Sequence, residues 1–146
     1  MKSPKKRTKR PYKTFDHTAD VGFDVRGATR KELFSHAATA LFELVTHLQA
    51  IDMESERSLT ISGADRDDLW INYLRELLYI FNGSRFLIRT VDIQKMGNKS
   101  LTMVVKGEPF DPAKHEILTE IKAVTYHQAK VEKTAAGWTG RFIVDV

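Results

Sequence analysis

Apolar residues recur at helical spacing in two stretches of the chain. The first follows Thr29-Arg30-Lys31-Glu32, which matches a capping box, and it contains Leu33, Phe34, Ala37, Leu41, Leu44, Val45 and Leu48. The second begins near Asp65 or Asp67, whose carboxylates suit a helix N-terminus, and ends at Asn82-Gly83. Its apolar positions are Leu69, Trp70, Tyr73, Leu74, Leu77, Leu78 and Phe81. We predict two helices and place Trp70 and Tyr73 in the core rather than on a base-stacking surface.

Alternation of apolar and polar residues indicates strands in most of the remaining chain. A turn at Gly97-Asn98 predicts a hairpin, and a long loop holds Pro109 and Pro112. The apolar strand positions are Val21, Phe23 and Val25, then Leu59 and Ile61, then Phe86, Ile88, Val91 and Ile93, then Leu101, Met103 and Val105, followed by segments 121–126 and 138–144. Early helices and late strands predict an α+β fold, with two helices packed on a largely antiparallel β-sheet in a single domain.

Composition narrows the classes of function. The 146 residues fit one domain, and no apolar run approaches the roughly 18–20 residues of a membrane span. The N-terminus has no apolar signal region, so we expect a cytoplasmic protein with no membrane contact. Because the chain has no cysteine, disulfide and thiolate chemistry are excluded, and any metal must be held by oxygen or imidazole.

The basic charge of the chain is concentrated at its N-terminus. Seven of the 23 basic residues lie in 1–13, which leaves 16 basic against 19 acidic residues in 14–146 and a net charge of −3. We predict that 1–13 is a basic, disordered arm and that 14–146 is the folded domain. The arm could contact RNA phosphates through residues 2–13, or it could be a solvated extension that aids solubility.

Two acidic segments are candidates for a metal site. Asp16-His17-Thr18-Ala19-Asp20 precedes a predicted strand and offers carboxylates and an imidazole, although these residues could equally form local turns. The chain stops at Asp145-Val146 directly after an apolar strand. That ending brings the Asp145 carboxylate close to the main-chain carboxylate of Val146, unless both simply lie in water. A shared site requires Asp20 and Asp145 to be neighbours in the fold.

A third segment, residues 119–127, places Glu120, Lys122, Val124 and Tyr126 on one face of a predicted strand. Ile121, Ala123, Thr125 and His127 are expected on the other face. Lys122 could neutralise carboxylates or a phosphate, and His127 could act as a ligand or proton shuttle. The alternative is a surface strand with a solvated lysine. Phosphate-loop, dinucleotide-binding, zinc-protease and serine-hydrolase motifs are absent, so no self-contained catalytic apparatus is visible.

Taken together, these segments resemble the archease family. The resemblance rests on HTAD at 17–20, LFSHAATALFELV at 33–45, DLWINYLRELLYIF at 68–81, EIKAVTYH at 120–127 and the terminal Asp-Val. It covers essentially all of 14–146 and leaves out the basic arm.

The resemblance implies a small α+β protein that is not itself an enzyme. It implies a metal-binding accessory factor that activates a GTP-dependent RNA-splicing ligase of the RtcB type, promoting its guanylylation and turnover in tRNA splicing and repair. Carried over by position, the metal site comprises Asp20, Asp145 and Val146, with Ca²⁺ as the expected ion and Mn²⁺ or Mg²⁺ as alternatives. His17, Lys122 and His127 are assigned to the functional surface.

Two other classes of function remain open. One is a free-standing RNA-binding or chaperone-like module that uses the basic arm. The other is a metal-dependent phosphoesterase in which Asp20 and Asp145 form a two-carboxylate site.

Overall fold

Two α-helices and seven strands form the part of the chain that the structure, a computed structural model, describes, which is residues 19–146. In chain order they are β1 (Asp20–Gly27), α1 (Arg30–Val45), β2 (Ser55–Ser62), α2 (Arg66–Ser84), β3 (Phe86–Met96), β4 (Ser100–Pro109), β5 (Ala123–Val124), β6 (Lys130–Thr134) and β7 (Gly137–Asp145). A single turn of 3₁₀-helix, Leu48–Ala50, follows α1.

The strands form two antiparallel sheets rather than one. In the first sheet β7 is the middle strand, with β1 along one side and β5 and β6 along successive parts of the other. The second sheet has the order β2-β4-β3. Each helix contacts strands of both sheets, so the buried faces of the helices join the two sheets into one core. The predicted α+β class is confirmed, and the division into two sheets is added by the structure.

Both helices begin with the same reciprocal pattern of capping bonds. The N-cap side chains of Thr29 and Asp65 accept hydrogen bonds from the N–H groups of Glu32 and Asp68, at 3.1 and 2.8 Å. The carboxylates of Glu32 and Asp68 accept in return from the N–H groups of the residues before each cap, at 2.6 and 2.7 Å. These bonds satisfy N–H groups that a helix start leaves without a partner. At its other end α2 continues past Asn82-Gly83 to Ser84, where Arg85 caps it with φ 55°.

Aromatic side chains tie the helices to β7. Trp70 and Tyr73 are fully buried, as predicted, and their polar atoms find main-chain acceptors. The Trp70 indole N–H donates to the Arg141 carbonyl at 2.9 Å, and the Tyr73 hydroxyl donates to the Phe34 carbonyl at 2.6 Å. The rings of Phe34 and Phe142 meet Trp70 edge-on, at 5.0 and 5.9 Å between centroids. The indole therefore fixes how α2 lies on β7.

Two features of the late strands differ from the sequence prediction. The alternation predicted for 119–127 is wrong, because Ile121 and Val124 are both buried and only Ala123–Val124 forms a strand. A turn follows at His127 and Gln128, where Gln128 has φ 57°. The prediction also missed β6, in which Val131 alone is buried. An edge strand with one buried residue has no alternating pattern to detect.

Other predictions fall outside the described residues. The basic arm of residues 1–13 and the HTAD residue His17 both lie before residue 19. Among the residues described, neither helix combines the length and the apolar character that a membrane crossing requires.

We predict that Gly140→Ala destabilises the fold through Trp70. A Cβ atom at residue 140 would lie 2.6 Å from the indole ring, and that ring cannot move without breaking its bond to β7. Overpacking of this kind costs about 1–3 kcal/mol, so the midpoint of thermal unfolding should fall by several degrees. The matched control is Gly22→Ala, whose Cβ would meet only Ile143 at 3.8 Å. Equal midpoints for the two variants would contradict this account of the core.

Candidate metal centre

Asp20 and Asp145 lie directly opposite each other at one end of the β1–β7 ladder. The next pair along, Ala19 and Val146, is joined by a hydrogen bond from the Val146 N–H to the Ala19 carbonyl at 2.9 Å. Because hydrogen-bonded and non-hydrogen-bonded pairs alternate, Asp20 and Asp145 form a non-hydrogen-bonded pair, the kind in which side chains approach most closely. The two acidic segments of the sequence are thus brought together.

The opposite side of Asp145 is covered by the segment that contains Lys122. Asp145 pairs with Ala123 of β5, and its carbonyl accepts a hydrogen bond from the Lys122 N–H at 2.7 Å. Since β7 is the middle strand, Asp145 has Asp20 on one neighbouring chain segment and Lys122 on the other. Asp20 and Lys122 are exposed, whereas Asp145 is half-buried.

The pKa of Asp145 reflects the closeness of the Asp20 and Asp145 carboxylates. Partial desolvation raises the pKa of Asp145, and hydrogen bonding to and repulsion from Asp20 raise this pKa further. Lys122 acts in the opposite direction by stabilising the charged form of Asp145, but the net shift remains upward. Two carboxylates that share a site favour either a shared proton or a cation between them. The pair therefore has the charge and the oxygen donors of a site for a hard divalent ion.

Val146, the third assigned metal residue, continues the ladder next to Asp145. Its side chain is half-buried and packs against the core, and its main chain is held by the bond to Ala19. This arrangement keeps the main chain after Asp145 beside β1. Val146 therefore lies beside Ala19, next to the Asp20–Asp145 pair in the ladder.

The remaining assigned residues lie at different distances from this pair. Lys122 is near enough to affect the pKa of Asp145. His127 lies in the turn after β5, where its N–H donates to the Thr125 hydroxyl and its ring is 3.3 Å from the Gln128 amide nitrogen. It is exposed and does not contribute to the shift in Asp145. His17 precedes the described residues.

An ion pair on the same outer face of the sheet was missed by the sequence analysis. Asp24 and Arg141 lie opposite each other in the β1–β7 ladder, and the guanidinium donates to both carboxylate oxygens at 2.7 and 3.1 Å. Arg141 lowers the pKa of Asp24, mainly through this hydrogen bond. Side chains alternate between the two faces of a strand, so Asp20 and Asp24 lie on the same face of β1. This spacing was the sequence signal that could have placed Asp24 on the face of the candidate site. Asp24 is thus paired with a cation, whereas Asp20 is paired with another acid.

Another group of carboxylates lies beside the second sheet. Oxygens of Asp52, Glu54 and Glu108 come within 4.8 Å of one another, the spacing of a possible cation site. However, the ammonium group of Lys114 is 2.6 Å from Asp52 and 2.8 Å from Glu108. The Lys114 ammonium group therefore already supplies a positive charge to this cluster, and we assign the cluster a structural role.

Buried Glu108 organises that structural cluster. Desolvation is the largest single effect and would raise its pKa, but hydrogen bonds from Lys114, the Asp52 N–H and His115 together lower it to about 2. The His115 ring accepts from the Asp111 N–H at Nδ1, so its Nε2–H is the group that donates to Glu108, at 2.8 Å. The cluster thus fixes the loop between β4 and β5, the segment that leads to Lys122.

The fold and the carboxylate pair define a class of small α+β protein with two capped helices and an acidic site at the end of its middle strand. The model of the Archease protein family (MTH1598/TM1083) matches residues 12–146. The protein archease of Methanosarcina mazei is 34% identical over 139 residues, covering 92% of this chain and 95% of that protein. The protein archease of Pyrococcus furiosus is 33% identical over 141 residues, covering 94% and 99%. The chain belongs to the archease family.

Solved structures agree with this assignment. Protein 1598 of Methanobacterium thermoautotrophicum superposes with a TM-score of 0.73 at 32% identity, covering 90% of this chain and 96% of that one. A Thermotoga maritima structure described as an archease and possible chaperone has a TM-score of 0.69 at 22% identity, covering 95% and 100%. The second likeness supports the fold alone.

We predict that Asp145→Asn stabilises the metal-free protein at neutral pH. The pKa of Asp145 is raised in the folded state, so deprotonation opposes folding, and its cost is present above the folded pKa and disappears in acid. The midpoint of thermal unfolding should exceed that of the unchanged protein at pH 7, and the two should converge at low pH.

The control for this prediction is Asp24→Asn on the same sheet face. It removes an attractive pair with Arg141, so it should leave the midpoint at pH 7 unchanged or lower it. A fall in midpoint with Asp145→Asn at pH 7 in the presence of a chelator would show that the pair is not repulsive.

Proposed function

We propose that this archease is an accessory factor that activates a GTP-dependent RNA-splicing ligase of the RtcB type by presenting a divalent cation to it. In this proposal the ligase carries out the chemistry, and the archease promotes its guanylylation and turnover in tRNA splicing and repair. The carboxylates of Asp20, Asp145 and Val146 would hold the ion, with Ca²⁺ expected and Mn²⁺ or Mg²⁺ as alternatives. Membership of the archease family supports the accessory role.

The observation that carries this proposal is the opposition of Asp20 and Asp145 in the β1–β7 ladder. Residues from the two ends of the described chain form one acidic site, and the raised pKa of Asp145 indicates that the pair lacks a sufficient counter-charge. A divalent ion would supply that counter-charge.

The character of the donors favours a hard cation. All three proposed ligands are carboxylate groups, and Ca²⁺, Mn²⁺ and Mg²⁺ take oxygen ligands. Three protein groups leave coordination positions free for water or for groups of a partner. An ion held in this way could be shared with or passed to a ligase, where divalent ions neutralise the charge of reacting phosphates.

Lys122 completes the functional surface in this proposal. It is exposed beside Asp145, and it stabilises the charged carboxylate without bonding to it through its side chain. Its ammonium group is therefore available to a phosphate or an acidic group of the partner. We assign it to contact with the ligase rather than to metal binding.

We predict that Asp20→Ala and Asp145→Ala each abolish stimulation of the purified ligase while leaving the fold intact. The assay follows ligase guanylylation and multiple-turnover ligation with and without the archease. Asp92→Ala is the matched control, since Asp92 is an exposed aspartate on β3 of the second sheet. Full stimulation by both site variants would refute the proposal, as would loss of stimulation in the Asp92 control.

A fusion after Val146 tests the third ligand in the same assay. An added peptide converts the main-chain carboxylate into an amide, which is a poor substitute for a charged ligand. The C-terminal fusion should therefore stimulate the ligase less than an N-terminal fusion of equal length. Equal stimulation would remove Val146 from the proposed site.

The same preparations discriminate the other classes of function. A phosphoesterase would hydrolyse a phosphoester without any partner. An RNA-binding or chaperone-like module led by the arm would lose its activity on deletion of residues 1–11, whereas ligase stimulation should survive that deletion.

A further inference from the structure

The N-termini of both long helices meet at the far end of the β1–β7 ladder from the carboxylate pair. Arg30 is the first residue of α1, and Arg66 is the first residue of α2. Trp138 lies between them, paired with Gly27 of β1 and with Lys133 of β6. Its ring is half-buried, unlike that of Trp70.

Three cationic groups converge on the Trp138 ring. The guanidinium carbons of Arg30 and Arg66 are 5.3 and 5.2 Å from its centroid, and the Lys133 ammonium nitrogen is 5.6 Å away. All three are within the distance at which an indole ring attracts a cation. The ring thus attracts three side chains, Arg30, Arg66 and Lys133, whose positive charges repel one another.

The repulsion between these cations is evident in Arg30. Partial desolvation lowers its pKa, and the charge of Arg66 lowers it further. Within residues 19–146, none of Arg30, Arg66 and Lys133 forms an ion pair with a carboxylate. The Arg30 guanidinium donates a hydrogen bond to the Gly97 carbonyl, at 3.1 Å.

The carboxylates near this surface are already engaged by main-chain groups. Glu32 and Asp68 accept from the N–H groups before the helix caps, and Asp65 accepts from a first-turn N–H of α2. Asp67 accepts from the Val131 N–H at 2.9 Å. Within residues 19–146 none of these acids forms an ion pair with Arg30, Arg66 or Lys133, so the three side-chain cations have no charged partner there.

One open hollow is bounded by Trp138, and a second is bounded by Arg66. One of about 550 Å³ is bounded by Trp138, Arg26 and Ala136 among others. Another of about 450 Å³ is bounded by Arg66 and by Asn98 and Lys99 of the β3–β4 turn, together with Asp65 and Asp67. The surface beside Trp138 and Arg66 is therefore open to a ligand rather than covered by the rest of the fold.

We propose that this surface, made by Arg30, Arg66 and Lys133 around Trp138, binds the phosphate backbone of single-stranded RNA. The proposal goes beyond the accessory function, because it assigns a direct RNA contact to the folded domain and does not depend on the carboxylate pair. Unpaired cations beside a solvent-accessible aromatic ring are the combination by which proteins follow a single strand without reading its sequence.

The charge of the domain as a whole makes this surface distinctive. Residues 14–146 carry 16 basic and 19 acidic residues, so the gathering of three basic side chains around one aromatic ring is not a consequence of general basicity. The ladder spacing puts Trp138 about 23 Å from the Asp20–Asp145 pair, as judged from the strand rise per residue. RNA bound here would leave the carboxylate pair free for a partner.

The fluorescence of Trp138 can be used to test whether RNA binds to this surface. Of the two tryptophans, Trp70 is fully buried and Trp138 is half-buried, so a fluorescence change on RNA binding reports the proposed surface. We expect a short oligouridylate to change the tryptophan emission of the full-length protein. The same titration of Trp138→Phe, which retains only Trp70, should show no change in emission.

The contribution of the three cations is tested by Arg30→Gln/Arg66→Gln/Lys133→Gln. Oligouridylate binding is measured by anisotropy of a labelled strand over a series of salt concentrations. Each phosphate contact contributes about −0.7 to the slope of log affinity against log salt, so the slope should become less steep by about 2. Arg66→Gln alone, should the triple variant unfold, is expected to reduce the slope by about 0.7.

The basic arm provides the matched control. Lys5→Gln/Lys6→Gln/Arg7→Gln removes the same charge from the basic arm, and it should leave the Trp138 emission change in place. Binding that is lost with the arm variant and retained by the domain variant would overturn the proposal. So would an unchanged Trp138 emission at saturating RNA, or the absence of RNA binding altogether.

Discussion

The antiparallel register between β1 and β7 is the constraint on which the rest of the structure depends. It sets Asp20 against Asp145 at one end and Gly27 against Trp138 at the other. A slip of one residue would turn buried Phe142 and Val144 towards solvent, so the core fixes the register. The packing of Trp70 on Gly140 reinforces it from α2. Both surfaces to which we assign a function therefore derive from one pairing that the hydrophobic core enforces.

The same pairing forces an unfavourable contact. Two carboxylates face each other at the open end of the ladder, and the raised pKa of Asp145 is the electrostatic consequence. By contrast, Asp24 is matched by Arg141, and Glu108 is matched by Lys114 and His115. The unmatched pair thus stands apart from the structural ion pairs. An uncompensated site of this kind is expected where the counter-charge comes from outside the chain.

The helices could be predicted from the sequence because their signals are local. Thr29 with Glu32 and the run of apolar residues behind them specify α1 without reference to the rest of the chain. In β6 the signal was lost, because an edge strand that buries only Val131 resembles a charged loop. Residues 119–127 were misjudged because the strand comprises only Ala123–Val124 and the two buried residues, Ile121 and Val124, are spaced three apart.

The candidate site could be predicted from the sequence even less completely than the strands. Asp20 and Asp145 could be named as candidates from their segments, but their proximity depends on strand register, which no local pattern encodes. The Glu108 cluster and the convergence of Arg30 and Arg66 on Trp138 had no sequence signal, since each joins residues from distant elements. Tertiary pairing, rather than residue chemistry, is what sequence reasoning could not supply.

The most direct test of the account is where a divalent ion binds. Substoichiometric Mn²⁺ added to isotope-labelled protein broadens the amide signals nearest to the bound ion. We expect the signals of Val21, Ala123 and Val144 to disappear first, because these residues adjoin Asp20 and Asp145 in the sheet. Signals at Lys133 and Trp138, at the other end of the ladder, should persist. Broadening centred on Asp52 and Glu108, or none at all, would contradict the assignment of the carboxylate pair as the metal site.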